Sequence, residues 1–321
     1  MTQWLAGFAA IFIGFLPGTL SAPIYAVNPD LRPLEKQEEV VIVFGGDLMF
    51  DRSIREKLTR NGEDHALSCV DEVLLPADLV VANLEGPITS NPSMSLGSVI
   101  GSPENFTFTF PTTTATMLVR HNIRLANIGN NHIMNFGRSG LLETEKWLDA
   151  AGVAYFGDPD KPEEERVERT TVGGVPFSFV NWSDWTSDKT DHTVAQVRKE
   201  VASGRVTVVY THWGEEYVEP TERMRALAHS FADAGAALVV GSHPHVVQES
   251  ELYNGAHIYY SLGNFVFDQY WNERVSNGLL LRVRFTKDGV KGIEELPITM
   301  HRDGRTCLLE NITNDKAKQN R

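Results

Sequence analysis

The stretch Val40–Asp47 reads VVIVFGGD and decides the fold class of this chain. The continuous apolar, largely β-branched run from Val40 to Phe44 is typical of a strand that is buried on both faces, and Gly45-Gly46 predicts a tight turn after it. An acidic side chain, Asp47, follows that turn. Open α/β sheets build their ligand sites at such carboxyl ends of strands. We therefore expect a buried first strand with a functional side chain at its end.

Similar apolar runs recur along the chain and alternate with amphipathic helical patterns. The predicted strands are 40–44, 79–82, 123–128, 153–156, 177–180, 206–210, 237–240, 258–261 and 279–285, and the predicted helices are 112–119, 139–150, 194–202 and 221–234. This alternation predicts right-handed crossovers and at least one largely parallel sheet. No helical patterns separate the strands after about Val246, so we expect them to pair antiparallel. The sequence thus predicts a mixed two-sheet core flanked by helices.

Composition places the chain among ordinary globular proteins and excludes one class of partner. It has 321 residues, of which 42% are hydrophobic and 22% charged, and a formal net charge of -13. Such an acidic surface repels a phosphate backbone, so nucleic acid is not expected as a partner. Solubility alone also favours an excess of acidic residues, and the charge carries no further functional conclusion.

The first residues resemble an export signal. No charged side chain occurs from Trp4 to Leu20, and a small-residue stretch follows. We expect residues 1–26 to be a signal peptide or an uncleaved signal anchor, 27–39 a linker, 40–300 the folded domain and 301–321 a C-terminal tail. The domain would then lie outside the cytoplasm, in the periplasm or anchored at the cell surface. In an oxidising compartment Cys69 and Cys307 could pair, although two separate buried thiols fit the sequence equally well.

Metal-competent side chains follow five of the predicted strands. Taken singly they have ordinary explanations, since Asp47 could cap a helix and Asn131 could occupy a turn. Their joint occurrence favours a divalent-metal centre of one or two Mn, Fe or Zn ions, because mixed carboxylate, amide and imidazole donors suit these metals. A carboxylate has two oxygens and can bridge two ions, a role open to Glu85. The candidate ligands are Asp47, Glu85, Asn131, His212, His243 and His245.

The ordered motifs carry a specific resemblance. They are GDLM at 46–49, NLE at 83–85, NNH at 130–132, HWGEEY at 212–217, HPHV at 243–246 and SLGNF at 261–265. Together they resemble the poly-gamma-glutamate capsule synthesis (CapA-type) family, which is itself similar to the calcineurin-like metallophosphoesterases. The resemblance runs from about Val40 to Phe285. It implies an α/β fold of the four-layer α/β/β/α sandwich type, with mixed sheets.

The resemblance also implies roles for the candidate ligands. Asp47 would be the metal ligand of the first strand, and Glu85 the bridging carboxylate. His245 would complete the shell of the first ion. Asn131, His212 and His243 would complete the shell of the second ion.

Other residues would act beside the metal. His132 would protonate the leaving group or hold the substrate anion, Glu216 would face the substrate or support the ligands, and Arg52 would clamp a carboxylate or phosphate. Two positions depart from the related families. Met49 stands where phosphoesterases have a histidine ligand, and Asn135 where the capsule family often has an aspartate.

These features lead to two main functional hypotheses. The first is a hydrolase of capsule or poly-gamma-glutamate biosynthesis that uses metal-activated water on a phosphoester or on an anionic envelope polymer such as polyglutamate. The alternative is a non-catalytic, metal-dependent polymer-binding subunit that supports a membrane capsule synthase. A purely structural metal site or buried polar network is a third reading. The segment 91–110 would be a lid over the substrate or a long loop.

Overall fold

The structure, a computed structural model, describes residues 39–186 and 189–309. The predicted signal segment 1–26, and the predicted linker apart from its last residue, lie outside the described residues. Within those residues, no helix has the length and apolar character needed to cross a membrane.

Helices separate most of the strands of the described chain up to Ser242, and strands predominate after it. The strands are β1 (Val40–Leu48), β2 (Leu79–Leu84), β3 (Ile123–Asn127), β4 (Ala154–Phe156), β5 (Val167–Val172), β6 (Val175–Ser183), β7 (Val206–His212), β8 (Leu238–Ser242), β9 (Ser250–Tyr253), β10 (Ala256–Tyr259), β11 (Asn264–Val266), β12 (Asn277–Thr286), β13 (Gly289–Met300) and β14 (Thr306–Leu308). The helices are α1 (Arg52–Asn61), α2 (Asp71–Leu74), α3 (Thr114–Arg120), α4 (Gly137–Ala151), α5 (Thr190–Ala202), α6 (Glu222–Asp233) and α7 (Glu273–Ser276).

Two mixed sheets form the centre of the domain, as predicted. The first has the order β14-β13-β12-β1-β2-β3-β4, with β11 beside β1, and the second has the order β5-β6-β7-β8-β10-β9. The predicted antiparallel pairing after Val246 is confirmed for β9 with β10, β12 with β13 and β13 with β14. It is wrong for β10, which lies parallel to β8, and for β11, which lies parallel to β1. The short strand β9 reverses the chain between β8 and β10 and so restores the parallel direction.

Three hydrophobic clusters fill the spaces between four layers of secondary structure. Between the sheets, Phe44 of β1 packs in one cluster with Phe177 of β6 and Val208 of β7. On the outer face of the first sheet, Val43 packs with residues of α1, α3 and α4. On the outer face of the second sheet, Val209 packs with residues of α5 and α6. Neighbouring residues such as Val43 and Phe44 enter different clusters because side chains alternate between the faces of a strand. The layers are α/β/β/α, in agreement with the expected sandwich.

The folded domain continues past the predicted boundary at residue 300. Ile298 of β13 pairs with Leu308 of β14, so the first sheet includes part of the segment expected to be a tail. Cys307 lies in β14 and forms a disulfide with Cys69, with 4.8 Å between the Cα atoms. The strand has only three residues, too few to show an alternating pattern in the sequence.

Candidate metal centre

The carboxyl ends of strands from both sheets bring the candidate ligands together. Asp47 lies near the end of β1, Glu85 directly follows β2, and Asn131 lies in the loop after β3. His212 is the last residue of β7, and His243 directly follows β8. Parallel strands place their carboxyl ends at one edge of a sheet. The site therefore lies where these edges of the two sheets meet.

Glu85 is the most unusual side chain of this site. It is fully buried, and neither Oε1 nor Oε2 has a hydrogen-bond partner in the structure. Three imidazole Nε2 atoms surround Oε1, that of His245 at 3.6 Å, that of His212 at 3.9 Å and that of His132 at 4.0 Å. Burial, and then the charge of Asp47, raise the pKa of Glu85 well above its usual value. Buried carboxylates are normally hydrogen-bonded or bound to a cation, so this arrangement fits a metal ligand.

His243 and His245 present donor atoms beside Glu85. One ligand atom from each of these three residues lies within 4.8 Å of the other two. Nδ1 of His243 is buried without a hydrogen-bond partner, and burial lowers the pKa of this ring to about 3. A ring with this pKa is neutral at neutral pH, which is the form that binds a metal. Both histidines have positive φ angles, +92° and +56°, a conformation that is strained for residues with a side chain.

Asp47 and Asn264 orient the ring of His245. Nδ1 of His245 lies 2.9 Å from Oδ1 of Asn264 and 3.3 Å from Oδ2 of Asp47. The side-chain nitrogen of Asn264 donates to the carbonyl oxygen of Val275, so its Oδ1 is free to accept. Two oxygen acceptors therefore face Nδ1, which suits a proton on that nitrogen, and Nε2 lies toward Glu85. The same Asp47 oxygen accepts the backbone N–H of His243 at 3.1 Å.

His212 and Asn131 form the other side of the centre. Nε2 of His212 lies 2.9 Å from Oδ1 of Asn131, and Nδ1 lies 2.9 Å from Oγ of Ser242. Burial, followed by the charges of the neighbouring histidines, lowers the pKa of His212 well below its usual value. The imidazole is therefore neutral, and in this structure its Nε2 is paired with the amide oxygen of Asn131. Among the described residues, Glu85, His243 and His245 form a group that could hold a metal ion, and Asp47, Asn131 and His212 lie beside it.

Buried asparagines form a hydrogen-bonded chain next to this centre, and the sequence patterns did not predict it. Oδ1 of Asn83 accepts from Nδ2 of Asn127 at 2.9 Å and from Nδ2 of Asn130 at 3.1 Å. Nδ2 of Asn83 donates to Asp47 Oδ1 at 2.8 Å. Asn181 of β6 donates in turn to Asn127 at 2.8 Å. These bonds fix the strand ends that carry the ligands. Their signal in the sequence is an asparagine at or just past the end of an apolar strand.

His132 faces Glu85 and is held from behind by Asn135. Its ring packs on Phe108, with 4.4 Å between the ring centroids, and Nδ1 lies 3.1 Å from Oδ1 of Asn135. That oxygen also accepts the backbone N–H of Phe108 at 2.8 Å, which fixes the orientation of the amide. Nδ1 is therefore the protonated nitrogen, and Nε2 faces the site. Burial lowers the pKa of His132 to about 4.

Arg52 and Glu216, the two residues expected to bind or face the substrate, both act on the pKa of Glu85 through their charges, since the charge of Glu216 raises it and that of Arg52 lowers it. Nη2 of Arg52 is paired with Oδ1 of Asp268 at 2.6 Å, and its guanidinium lies 5.1 Å from the ring centroid of Phe108 and 5.3 Å from that of Phe267. The expected anion clamp thus already holds a carboxylate of this chain. Glu216 is exposed, and its charge contributes to the raised pKa of Glu85. It belongs to the rim of the site.

Comparison with known families bears on what this centre is. The model of the family described as "Bacterial capsule synthesis protein PGA_cap" matches residues 41–269, which contain all six candidate ligands. The chain belongs to this family. The resemblance drawn from the motifs is confirmed, and the α/β sandwich agrees with it.

Relatives of this capsule synthesis family member cover most of the chain. The PGA biosynthesis protein CapA of Bacillus subtilis is 30% identical over 80% of this chain and 71% of its own length. The capsule biosynthesis protein CapA of Bacillus anthracis is 28% identical over 83% of this chain and 68% of its own length. A probable polyglutamine synthesis accessory protein of Mycobacterium tuberculosis is 27% identical over 76% of both chains.

The structure also shows the surroundings of Met49 and Asn135, the two positions at which this PGA_cap protein departs from the related families. Met49 is fully buried, and its sulfur accepts the backbone N–H of Asp51 at 3.0 Å, so it is engaged away from the ligands. Asn135 is the partner of His132. The first departure removes a potential metal ligand, and the second removes a negative charge from beside an imidazole.

Proposed function

We propose that this protein is an exported, metal-dependent hydrolase of capsule or poly-gamma-glutamate biosynthesis. The observation that carries the proposal is the fully buried Glu85 with two unpartnered carboxylate oxygens among three imidazoles. Leaving such a group without a cation costs several kcal/mol, roughly, so a bound metal ion stabilises this arrangement. The names of the relatives from the two Bacillus species support the biosynthetic role.

The metal would be held by residues of both sheets. We assign its ligands to Asp47, Glu85, Asn131, His212, His243 and His245, which suit one or two Mn, Fe or Zn ions. A bound ion of this kind supplies Lewis acidity and lowers the pKa of a water molecule to roughly 7. The chain itself supplies neutral imidazoles, because burial keeps His212 and His243 unprotonated.

His132 is the proposed proton carrier. Its Nδ1–H donates to Asn135, so Nε2 is the nitrogen that can accept a proton inside the site and pass it to a leaving oxygen. Packing against Phe108 holds the ring in place for this step. The substrate would be a phosphoester, or an amide or ester bond of an anionic envelope polymer such as polyglutamate.

Export is supported by two features of the chain. A disulfide joins Cys69 and Cys307, and disulfides persist mainly in oxidising compartments outside the cytoplasm. The uncharged apolar stretch from Trp4 to Leu20 is typical of a signal peptide or signal anchor. We propose an extracytoplasmic location on these grounds.

A second candidate function is a metal-dependent polymer-binding subunit without turnover, working beside a membrane synthase. Met49 favours it, because a buried sulfur bonded to the backbone replaces an imidazole that phosphoesterases use as a ligand. The word "accessory" in the name of the relative from Mycobacterium tuberculosis is in keeping with such a role. A binding subunit needs the metal but does not need the proton carrier His132.

The two functions are separated by measuring metal content and turnover in the full-length protein. Hydrolysis of a phosphodiester and of poly-gamma-glutamate would be assayed in buffer with added manganese for wild type, His132→Ala and His301→Ala. His301 is exposed and serves as the matched control. We expect one or two ions per chain in all three proteins, with turnover lost only in His132→Ala. Bound metal with no turnover in wild type would favour the binding subunit, and a metal-free wild type would refute both.

A further inference from the structure

We propose that Trp185 and Trp271, two exposed tryptophans at the metal centre, bind sugar rings, so that the natural substrate is a glycan carrying the ester that is cleaved. The inference rests on the proposed hydrolase function and narrows its substrate class. Both residues lie outside the predicted motifs, and neither is a candidate metal ligand.

The two indoles lie at the ends of a continuous row of rings. Trp185 packs on His243 at 4.1 Å between centroids, and His243 lies 5.7 Å from His245. The row continues from His245 to Tyr217 at 6.1 Å and from Tyr217 to Trp271 at 5.5 Å. Each indole is therefore reached from a candidate metal ligand through direct ring contacts. A chain bound along this row would pass directly over the metal centre.

Both indoles expose an unusually large apolar area. Trp185 is 44% exposed and Trp271 60% exposed, whereas Trp182 and Trp213 are buried in the domain. Exposed large apolar groups that cluster around a polar site mark ligand-binding surfaces. Met134 and Val218 lie next to site segments in the sequence and are each 39% exposed. Exposed apolar side chains thus lie beside a polar centre.

Flat aromatic faces match the chemistry of sugars. A pyranose ring presents a face of C–H groups that packs on an indole, while its hydroxyl groups point outward and remain hydrated. This contact removes apolar area from water on both partners without requiring charge. Two such platforms on opposite sides of the centre would hold the units that flank the cleaved bond.

The charges at the rim disfavour a plain polyanion. Binding a polymer with a carboxylate on every unit needs cations that are free to pair with it. Three arginines are instead paired with carboxylates of the chain itself. They are Arg52 with Asp268, Arg223 with Asp184, the residue before Trp185, and Arg274, three residues after Trp271, with Glu219. Glu215 and Glu216 add exposed negative charge. A ring-bearing polymer with sparse charge fits this surface better than polyglutamate.

The reaction on such a substrate balances with water alone. For a phosphoester, the bond between phosphorus and the sugar oxygen breaks, and the hydroxyl group of water is added to phosphorus. The remaining proton passes to the sugar oxygen through Nε2 of His132. Trp185 and Trp271 take no part in these steps, and their role is to position the chain.

Affinity electrophoresis of the full-length, metal-loaded protein tests the inference. Native gels would contain a soluble β-glucan, a mannan, glycol chitin or poly-gamma-glutamate. The variants are Trp185→Ala and Trp271→Ala, with Leu252→Ala as control because Leu252 is 66% exposed on β9, away from the site. We expect retardation by at least one glycan, a loss of affinity of about three- to tenfold in each tryptophan variant, and no loss in the control. Circular dichroism would verify that each variant is folded.

The inference is overturned if no glycan retards the wild type, or if retardation is the same in both tryptophan variants. Retardation by poly-gamma-glutamate that depends on the tryptophans would overturn it in favour of a polyanion. Measuring both glycan binding and turnover, in wild type and in His132→Ala, separates this inference from the proposed hydrolase function. If wild type bound glycans but showed no turnover, the sugar-binding role of the tryptophans would be supported and the hydrolase function refuted. If wild type hydrolysed poly-gamma-glutamate but bound no glycan, the hydrolase function would be supported and the sugar-binding role refuted.

Discussion

The side-chain oxygen of Asn135 lies 3.1 Å from Nδ1 of His132 and at the same time accepts the backbone N–H of Phe108. This amide fixes the tautomer of the imidazole without offering it a negative charge. A carboxylate in the same place would stabilise the protonated ring much more strongly. Burial lowers the pKa of His132 to about 4 and so keeps the ring neutral, and asparagine adds no negative charge that would oppose this effect.

Replacing Asn135 by aspartate should raise the pKa of His132. An opposite charge within hydrogen-bond distance favours the imidazolium by about 1 pH unit or more. We expect the limb of the pH–rate profile that reports His132 to move to higher pH in Asn135→Asp. The titration of the His132 ring, followed by NMR, should move in the same direction. An Asn135→Ala variant controls for loss of the amide, and an unchanged titration in Asn135→Asp would contradict the proposed contact.

Metal binding should release a proton from Glu85. The raised pKa of Glu85 means that the metal-free protein holds a proton there above the usual range, and a ligand must lose it when the ion binds. Affinity should therefore increase with pH. His243, with a pKa of about 3, should contribute no proton release near neutral pH. Calorimetric titrations in buffers of different ionisation enthalpy would count the protons.

Glu85→Gln is the matched variant for this measurement. The amide keeps the size of the side chain but cannot ionise, so we expect proton release to fall and affinity to drop by about 10- to 100-fold or more. If Glu85→Gln released as many protons as wild type, Glu85 would not be the titrating ligand.

In the metal-free protein, the contribution of Glu85 to stability should fall as the pH rises, opposite in sign to that of the buried His132, His212 and His243, whose lowered pKa values favour folding as the pH rises. A carboxyl group with a raised pKa in the folded state favours folding below its unfolded pKa, and this contribution is lost as the pH rises toward the folded value. The loss should begin near pH 4.5, the ordinary value for glutamate. The difference in thermal unfolding between the chelated wild type and a chelated Glu85→Gln variant, followed from pH 5 to pH 8, would isolate it.

The Glu85→Gln substitution should remove this contribution. At neutral pH we expect it to stabilise the chelated protein by about 1–3 kcal/mol, because wild type must keep Glu85 protonated above the usual pKa of the group, whereas glutamine is neutral at every pH. With saturating metal, the order should reverse, since wild type then gains the binding energy. If the difference in stability between chelated wild type and chelated Glu85→Gln did not change from pH 5 to pH 8, the pKa of Glu85 would not be raised.

Breaking the disulfide should loosen the edge of the first sheet. Cys69 and Cys307 are 238 residues apart, and the bond attaches the three-residue strand β14 to the loop between α1 and α2. We expect Cys307→Ser to lower the free energy of unfolding by about 2–5 kcal/mol. Cys69→Ser and reduced wild type should show the same loss. A stability that does not respond to reduction would mean that the thiols are unpaired.

Much of the fold could be read from local patterns. The central strands β1, β2, β7 and β8 are buried on both faces, and their largely apolar runs are easily recognised. Helix α1 was missed because only Ile54 and Leu58 are buried within a charged segment. The edge strand β5 was missed because half of its side chains face outward and its run is polar.

The amino-acid sequence by itself determined which donor atoms follow the central strands, because the end of a strand is a local feature and parallel strands gather their ends at one edge. The tertiary structure alone decided the pairing of Arg52 with Asp268, the support of His132 by Asn135 and Phe108, and the row of rings from Trp185 to Trp271. Most of these contacts join segments that are far apart in the chain. Their existence depends on how loops pack on the finished sheets, and no local periodicity encodes that packing.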